Sequence, residues 1–138
     1  MKDKYFFDTN ILVYMQDASD PVKQQKARFL LSTHLDNGTA VISTQCLQEF
    51  YNVLANKMKQ NKIQTKQIIH SLSENIPVVQ ITPELIETGI DISVGTQFSF
   101  WDSINSGVIC TTGIFSDKLC IICFVCILFC FILLARTL

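Results

Sequence analysis

The first apolar block of the chain, YFFDTNILVY at residues 5–14, is split by three polar residues, Asp8, Thr9 and Asn10. Its two halves predict a buried β-strand over residues 4–7 that continues past the triplet. Asp20-Pro21 then supplies a helix cap with proline at the first helical position. Ala27, Leu30, Leu31 and Leu35 follow at helical spacing, and Asn37-Gly38 ends that helix. Residues 40–44 (AVIST) predict a short strand. From Gln45 to about Met58, Cys46, Phe50, Val53 and Leu54 return to the helical period. A polar, lysine-bearing helix or loop runs to Ser73, and residues 77–81 (PVVQI) predict another strand. Thr82-Pro83-Glu84 opens a further helix, and Ser99 opens one more.

This alternation of strands and helices predicts an α/β layer architecture with a mainly parallel sheet flanked by helices. Such sheets carry their sites beyond the carboxyl ends of the strands. Asp8 stands where the first strand would end, Glu49 lies in the helix after the second, and Asp102 falls in the first turn of the helix opened by Ser99. Three acids from distant parts of the chain are thereby expected on one rim. Each also has a plainer reading. Asp8 can cap a turn. Asp102, three residues after Ser99, can close a capping box. Glu49 has the weakest alternative, since it borders the stripe of Cys46, Phe50 and Val53 with no serine or threonine three residues earlier.

Three converging carboxylates repel one another and raise each other's pKa. A hard divalent cation relieves that conflict, because Mg²⁺ prefers oxygen ligands and keeps several waters beside one or two carboxylates. Such a centre suits hydrolysis of a phosphodiester. Thr9 and Asn10 are then candidates to orient the Asp8 carboxylate or a metal-bound water.

Charge and cysteine content narrow the picture only a little. Lys plus Arg number 11 against 12 Asp plus Glu, so the overall charge draws neither a nucleic acid nor a membrane, and any RNA contact must be local. The start MKDKYFFDTN lacks the uninterrupted apolar stretch of a secretory signal, and the expected compartment is cytoplasmic. Cys46 stands alone, whereas Cys110, Cys120, Cys123, Cys126 and Cys130 crowd the end. Only Ile, Phe and Val separate Cys120, Cys123 and Cys126. No turn residue curls the backbone round an ion, and these read as free apolar cysteines.

The stretch F-F-D-T-N-I-L-V-Y resembles the opening of PIN-domain ribonucleases, in particular the VapC-like toxins of toxin–antitoxin pairs. I-S-T-Q-C-L-Q-E-F-Y-N-V-L and F-S-F-W-D-S resemble the second and third acidic motifs of that family, in its order and spacing, within residues 1–106. The resemblance implies a three-layer fold and metal-dependent endoribonuclease activity with Mg²⁺ or Mn²⁺. It implies Asp8, Glu49 and Asp102 as metal-binding, catalytic carboxylates, an RNA substrate, a small antitoxin partner and a homodimer. The family places a fourth acid near the domain's end, for which Asp117 in G-I-F-S-D-K is the candidate. Lys57, Lys59, Lys62 and Lys66 are candidate contacts to the RNA backbone, the last three sharing a face if their segment is helical. A solvated surface is their plainer reading. His34 and His70 read as helix-surface or boundary residues, and Trp101 as core.

After Ser106 the sequence departs from the family. Residues 119–135, LCIICFVCILFCFILLA, hold no charge, glycine or proline. As a helix they span about 25 Å, short of the roughly 30 Å hydrocarbon core of a bilayer. Three accounts are open: a shifted reading frame, a membrane anchor, or a buried element of the sheet. The shifted frame is preferred. A T-rich gene read out of frame yields this Phe, Leu, Ile, Val and Cys vocabulary, and the change comes with the fold unfinished. Residues 107–138 are therefore set apart from the nuclease domain. The functional expectation is a toxin ribonuclease, impaired if the end is altered. The alternatives are a dead remnant that only binds an antitoxin or intact subunits, or a tail-anchored membrane protein.

Overall fold

The computed structural model describes residues 4–111, without the side chains of residues 101 and 109–111. Asp117 and the apolar segment 119–135 lie outside the described residues, as does the side chain of Trp101. The elements follow in the order β1 (Tyr5–Phe6), α1 (Thr9–Gln16), α2 (Pro21–Asp36), β2 (Ala40–Ser43), α3 (Thr44–Asn52), a π-helical turn (Val53–Lys57), α4 (Lys62–Asn75), β3 (Val78–Val79), α5 (Pro83–Gly95) and α6 (Phe100–Thr111).

Among the described residues the strands form a 3-stranded parallel sheet in the order β1-β2-β3. Tyr5 and Phe6 pair with Ala40 and Val41, and Ile42 and Ser43 with Val78 and Val79. The expected α/β architecture, a parallel sheet flanked by helices, is what the chain adopts. β2 is buried along its whole length, as the middle strand of a covered parallel sheet must be. The core gathers around it from Phe6, Phe7, Leu12, Ile42, Cys46, Phe50 and Leu54.

One expected element is overturned. The apolar run after the triplet is helix α1, not a continuation of β1. Asp8 takes an extended conformation (φ −75°, ψ 159°) at the helix cap, and its carbonyl accepts from the N–H of Ile11 at 3.1 Å. Consecutive buried residues Ile11 and Leu12 fit a helix lying on the sheet as readily as a strand, and the polar triplet decides for the helix. The other caps fall where the sequence puts them. The Asp20 carboxylate accepts from Lys23 N–H at 3.0 Å with Pro21 at the helix start, and Thr82 Oγ1 accepts from Leu85 N–H at 3.4 Å. Gly38 leaves α2 at φ +65°, a backbone glycine adopts without strain.

α3 begins without a loop. Ser43, the last residue of β2, accepts from Cys46 N–H at 3.3 Å through its own Oγ, so one residue closes the strand and caps the helix. Cys46 is a free, buried thiol that donates to Phe7 C=O at 3.6 Å, tying α3 to the end of β1. Burial pushes its pKa up, so it is a packing residue and not a nucleophile. α6 lies against α5. At their crossing a side-chain carbon on Gly89 would stand 2.9 Å from Ile104 Cγ1 and 3.2 Å from its Cα.

Candidate active site

Asp8 and Glu49 line one cavity of about 390 Å³ beyond the end of β1, together with Thr9, Asn10, Asn52 and Lys57. The short β1 delivers Asp8, and the Ser43 cap sets the start of α3 so that Glu49, in its second turn, faces α1. Thr9 Oγ1 donates to Glu49 Oε2 at 2.7 Å, and Gln45 Nε2 donates to Glu49 Oε1 at 2.9 Å. Both oxygens of Glu49 are therefore held. On the Asp8 side, Asn10 Nδ2 donates to Oδ2 at 2.9 Å and Asn105 Nδ2 reaches Oδ1 at 3.5 Å.

Asn10 is bonded to Asp8, while Thr9, also expected beside Asp8, is bonded to the other acid. Thr9 is buried against α3, and the turn of the helix leaves Asn10 exposed beside Asp8. Burial pushes the Asp8 carboxyl above the usual carboxylate range, and the charge of Glu49 adds to the rise. The Thr9 N–H, the Asn10 side chain and the Asn10 N–H oppose it. The arrangement is a desolvated carboxylate held next to a second one. It disfavours the ionised form of Asp8.

Asp102 is not brought into this lining. It is exposed in the first turn of α6, where Ser99 Oγ donates to Oδ2 at 2.6 Å and accepts from Asp102 N–H at 3.2 Å, a helix cap in which the carboxylate meets the hydroxyl of Ser99 where the capping box expected its backbone N–H. The residue that α6 sends to Asp8 is Asn105, one turn further on. Among the described residues no group of three or more His, Cys, Asp or Glu stands close enough to hold a metal ion. Asp8 and Glu49 form a two-carboxylate oxygen set, which matches the protein share of a Mg²⁺ site completed by water. Asn105 Oδ1 is buried beside it without a partner.

Gln45 and Asn105 escape sequence reasoning, which looked for orienting groups only next to Asp8 in the chain. The signal was helical spacing: Gln45 precedes Glu49 by one turn, and Asn105 follows Asp102 by one turn.

The lysines are dispersed. Lys57, at the end of the π-helical turn, lines the acidic cavity. The Met58 N–H bonds back to Val53 C=O at 2.9 Å, and this wide turn carries Lys57 round to the side of Asn52 and Val53. Lys59 sits outside any helix at φ 55°, and Lys62 only begins α4 after the Asn61 cap. Lys59, Lys62 and Lys66 therefore do not share one helical face. Lys62 and Lys66 border a separate hollow with Tyr51, Ile63 and Ile69. His34 lies at the core boundary, its Nδ1 2.9 Å from Thr39 Oγ1 and its ring 4.1 Å from that of Tyr5, and His70 is exposed.

The PIN domain family matches residues 5–108, from β1 into α6. The crystal structure of VapC20 from Mycobacterium tuberculosis, described as a sarcin-ricin loop cleaving toxin, superposes with a TM-score of 0.63. The two chains are 19% identical, and the likeness covers 80% of this chain and 84% of that one. No match to a curated protein was found. With the motif order, the parallel sheet and the family match in agreement over the same residues, this chain is a member of the PIN domain family.

Proposed function

We propose that this protein is a metal-dependent endoribonuclease, the toxin of a VapC-like toxin–antitoxin pair. The observation that carries the reading is the Asp8–Glu49 pair: two carboxylates from α1's cap and α3, each held by side chains of other turns, facing one cavity with a lysine at its edge. Family membership and the likeness to a toxin that cleaves RNA support it.

Asp8 and Glu49 would hold a Mg²⁺ or Mn²⁺ ion, and Asp102, at the start of α6, is kept as a third ligand on the family resemblance. A bound ion polarises the phosphoryl oxygen, lowers the pKa of its water and stabilises the leaving oxygen. Asn10 and Asn105 fix the rotamer of Asp8, and Thr9 with Gln45 fixes that of Glu49, so the site is set before the ion arrives. Lys57 takes a phosphate of the RNA backbone. Lys59, Lys62 and Lys66 contribute only diffuse positive potential. Asp117 is retained as the candidate fourth acid on sequence grounds alone.

The partner is a small antitoxin that blocks the cavity, and the assembly is a homodimer in the cytoplasm. Exposed Ile86, Ile90 and Val94, at successive turns of α5, supply an apolar surface of the kind that pairs subunits. Among the described residues no helix is long and apolar enough to cross a membrane. Residues 107–138 are read as a departure from the family produced by a shifted frame, which lowers the activity of this particular chain.

The test is cleavage of RNA by the purified chain with and without Mg²⁺ or Mn²⁺. Divalent-dependent cleavage that disappears in Asp8→Asn is expected. Cleavage that persists in Asp8→Asn removes the site assignment.

A further inference from the structure

The cavity of Asp8 and Glu49 has a second wall, lined by Asn52, Val53 and Lys57 from the end of α3 and the π-helical turn. In a regular α-helix, residues five apart point about 140° away from each other. Here the bond from Met58 N–H to Val53 C=O closes a wider turn, and Asn52 and Lys57 line the same cavity. Wide turns of this kind are frequent at functional sites. Residues 50–73 carry four lysines and no acid, so this wall differs in sign from the one that bears Asp8 and Glu49.

The amide of Asn52 is turned by its neighbour. Asn56 Nδ2, one turn further on, donates to Asn52 Oδ1. The reverse pairing would present an oxygen to a cavity that already holds two carboxylates. With the oxygen engaged, the N–H groups are the part of the amide left to the cavity. The cavity then has an acidic side, Asp8 and Glu49, and a donor side, Asn52 and Lys57. A phosphodiester matches that polarity, because its unesterified oxygens accept from amide N–H and ammonium groups alike.

We propose that Asn52 and Lys57 form a two-donor clamp on one phosphate of the RNA strand, with Asn56 as the positioning residue that holds the Asn52 amide. The inference rests on the ribonuclease reading, in which Lys57 takes a phosphate, and adds a neutral donor to that same phosphate. The two donors act differently. Lys57 releases counterions and weakens with salt, whereas the uncharged Asn52 adds affinity that salt does not screen.

The test titrates fluorescein-labelled hexauridylate into the full chain in EDTA, read by anisotropy at several salt concentrations. Asn52→Ala, at an exposed helical position, is expected to weaken binding about 5–10-fold, the worth of one hydrogen bond. The slope of log K against log salt should stay unchanged in Asn52→Ala and fall by about one in Lys57→Ala. The double variant is expected to lose less than the product of the two single losses, because both donors serve one phosphate. Wild-type affinity in Asn52→Ala, or a double variant that loses the full product, overturns the proposal. Mg²⁺-dependent cleavage by Asn52→Ala at the wild-type kcat/KM overturns it alone. Coupled losses without any cleavage leave the clamp standing and remove the nuclease reading, and no RNA binding by the wild type removes both.

Discussion

At the scale of the residue, Asp8 combines the site's two conflicts, burial and a neighbouring charge. Its carboxyl is raised first by burial and then by Glu49, so the folded chain binds that proton more tightly than the unfolded one. Between the unfolded value and the raised folded value the native state carries more protons. Stability without metal is therefore fully present below the unfolded value and falls as pH climbs through the folded one. Asp8→Asn is expected to flatten that fall and to raise the metal-free melting temperature at neutral pH, as thermal unfolding in EDTA between pH 4 and 8 will show. In the presence of metal the order reverses. Asp8→Asn and Glu49→Gln are each expected to lower kcat/KM about a thousandfold, the several kcal/mol that Lewis-acid catalysis supplies. The sequence singled out Asp8 because a carboxylate in an apolar run is conspicuous, and Glu49 because it borders the helical stripe of Cys46, Phe50 and Val53. It hid Gln45 and Asn105, whose amides become noticeable only when the fold sets them against those acids.

At the scale of the element, placement depends on short devices. Ser43 ends β2 and starts α3 in one residue, which fixes the height of Glu49 above the sheet. Gly89 lets α6 approach α5 closely enough for Asn105 to reach Asp8. Gly89→Ala forces a methyl group against the Ile104 backbone and is expected to cost about 1–3 kcal/mol by denaturant unfolding. It should also lower activity more than that loss explains, because α6 is pushed off the site. The π-helical turn does the same for Lys57. Lys57→Ala is expected to weaken binding of different RNA sequences alike and to reduce the slope of log K against log salt by about one. Caps at Asp20, Thr82 and Ser99 were legible because cap chemistry is local, whereas Ser43, read only as strand, also caps α3. Helix α1 was not, since four apolar residues satisfy either period until the sheet beneath them is known. The π-helical turn was not legible either, because its widening depends on backbone hydrogen bonds that side-chain pattern does not record.

At the scale of the whole molecule, a chain with 11 basic and 12 acidic residues has no field to gather RNA. On the ribonuclease reading proposed above, RNA affinity would come from a cation held by Asp8 and Glu49 and from Lys57. The parallel sheet was foreseeable from the alternation of elements, and the family match agrees with it from β1 into α6. Beyond that point, reading the gene in all three frames after the codon for Asp102 is expected to recover, in another frame, a strand and an acid in a Ser-x-Asp setting. The central claim is that Asp8 and Glu49 together hold a divalent cation, and titration with Mn²⁺ followed by electron paramagnetic resonance tests it most directly. The account predicts saturable Mn²⁺ binding by the wild type that strengthens with rising pH as Asp8 ionises and is lost in both Asp8→Asn and Glu49→Gln. Mn²⁺ bound equally well by wild type and both variants would contradict it.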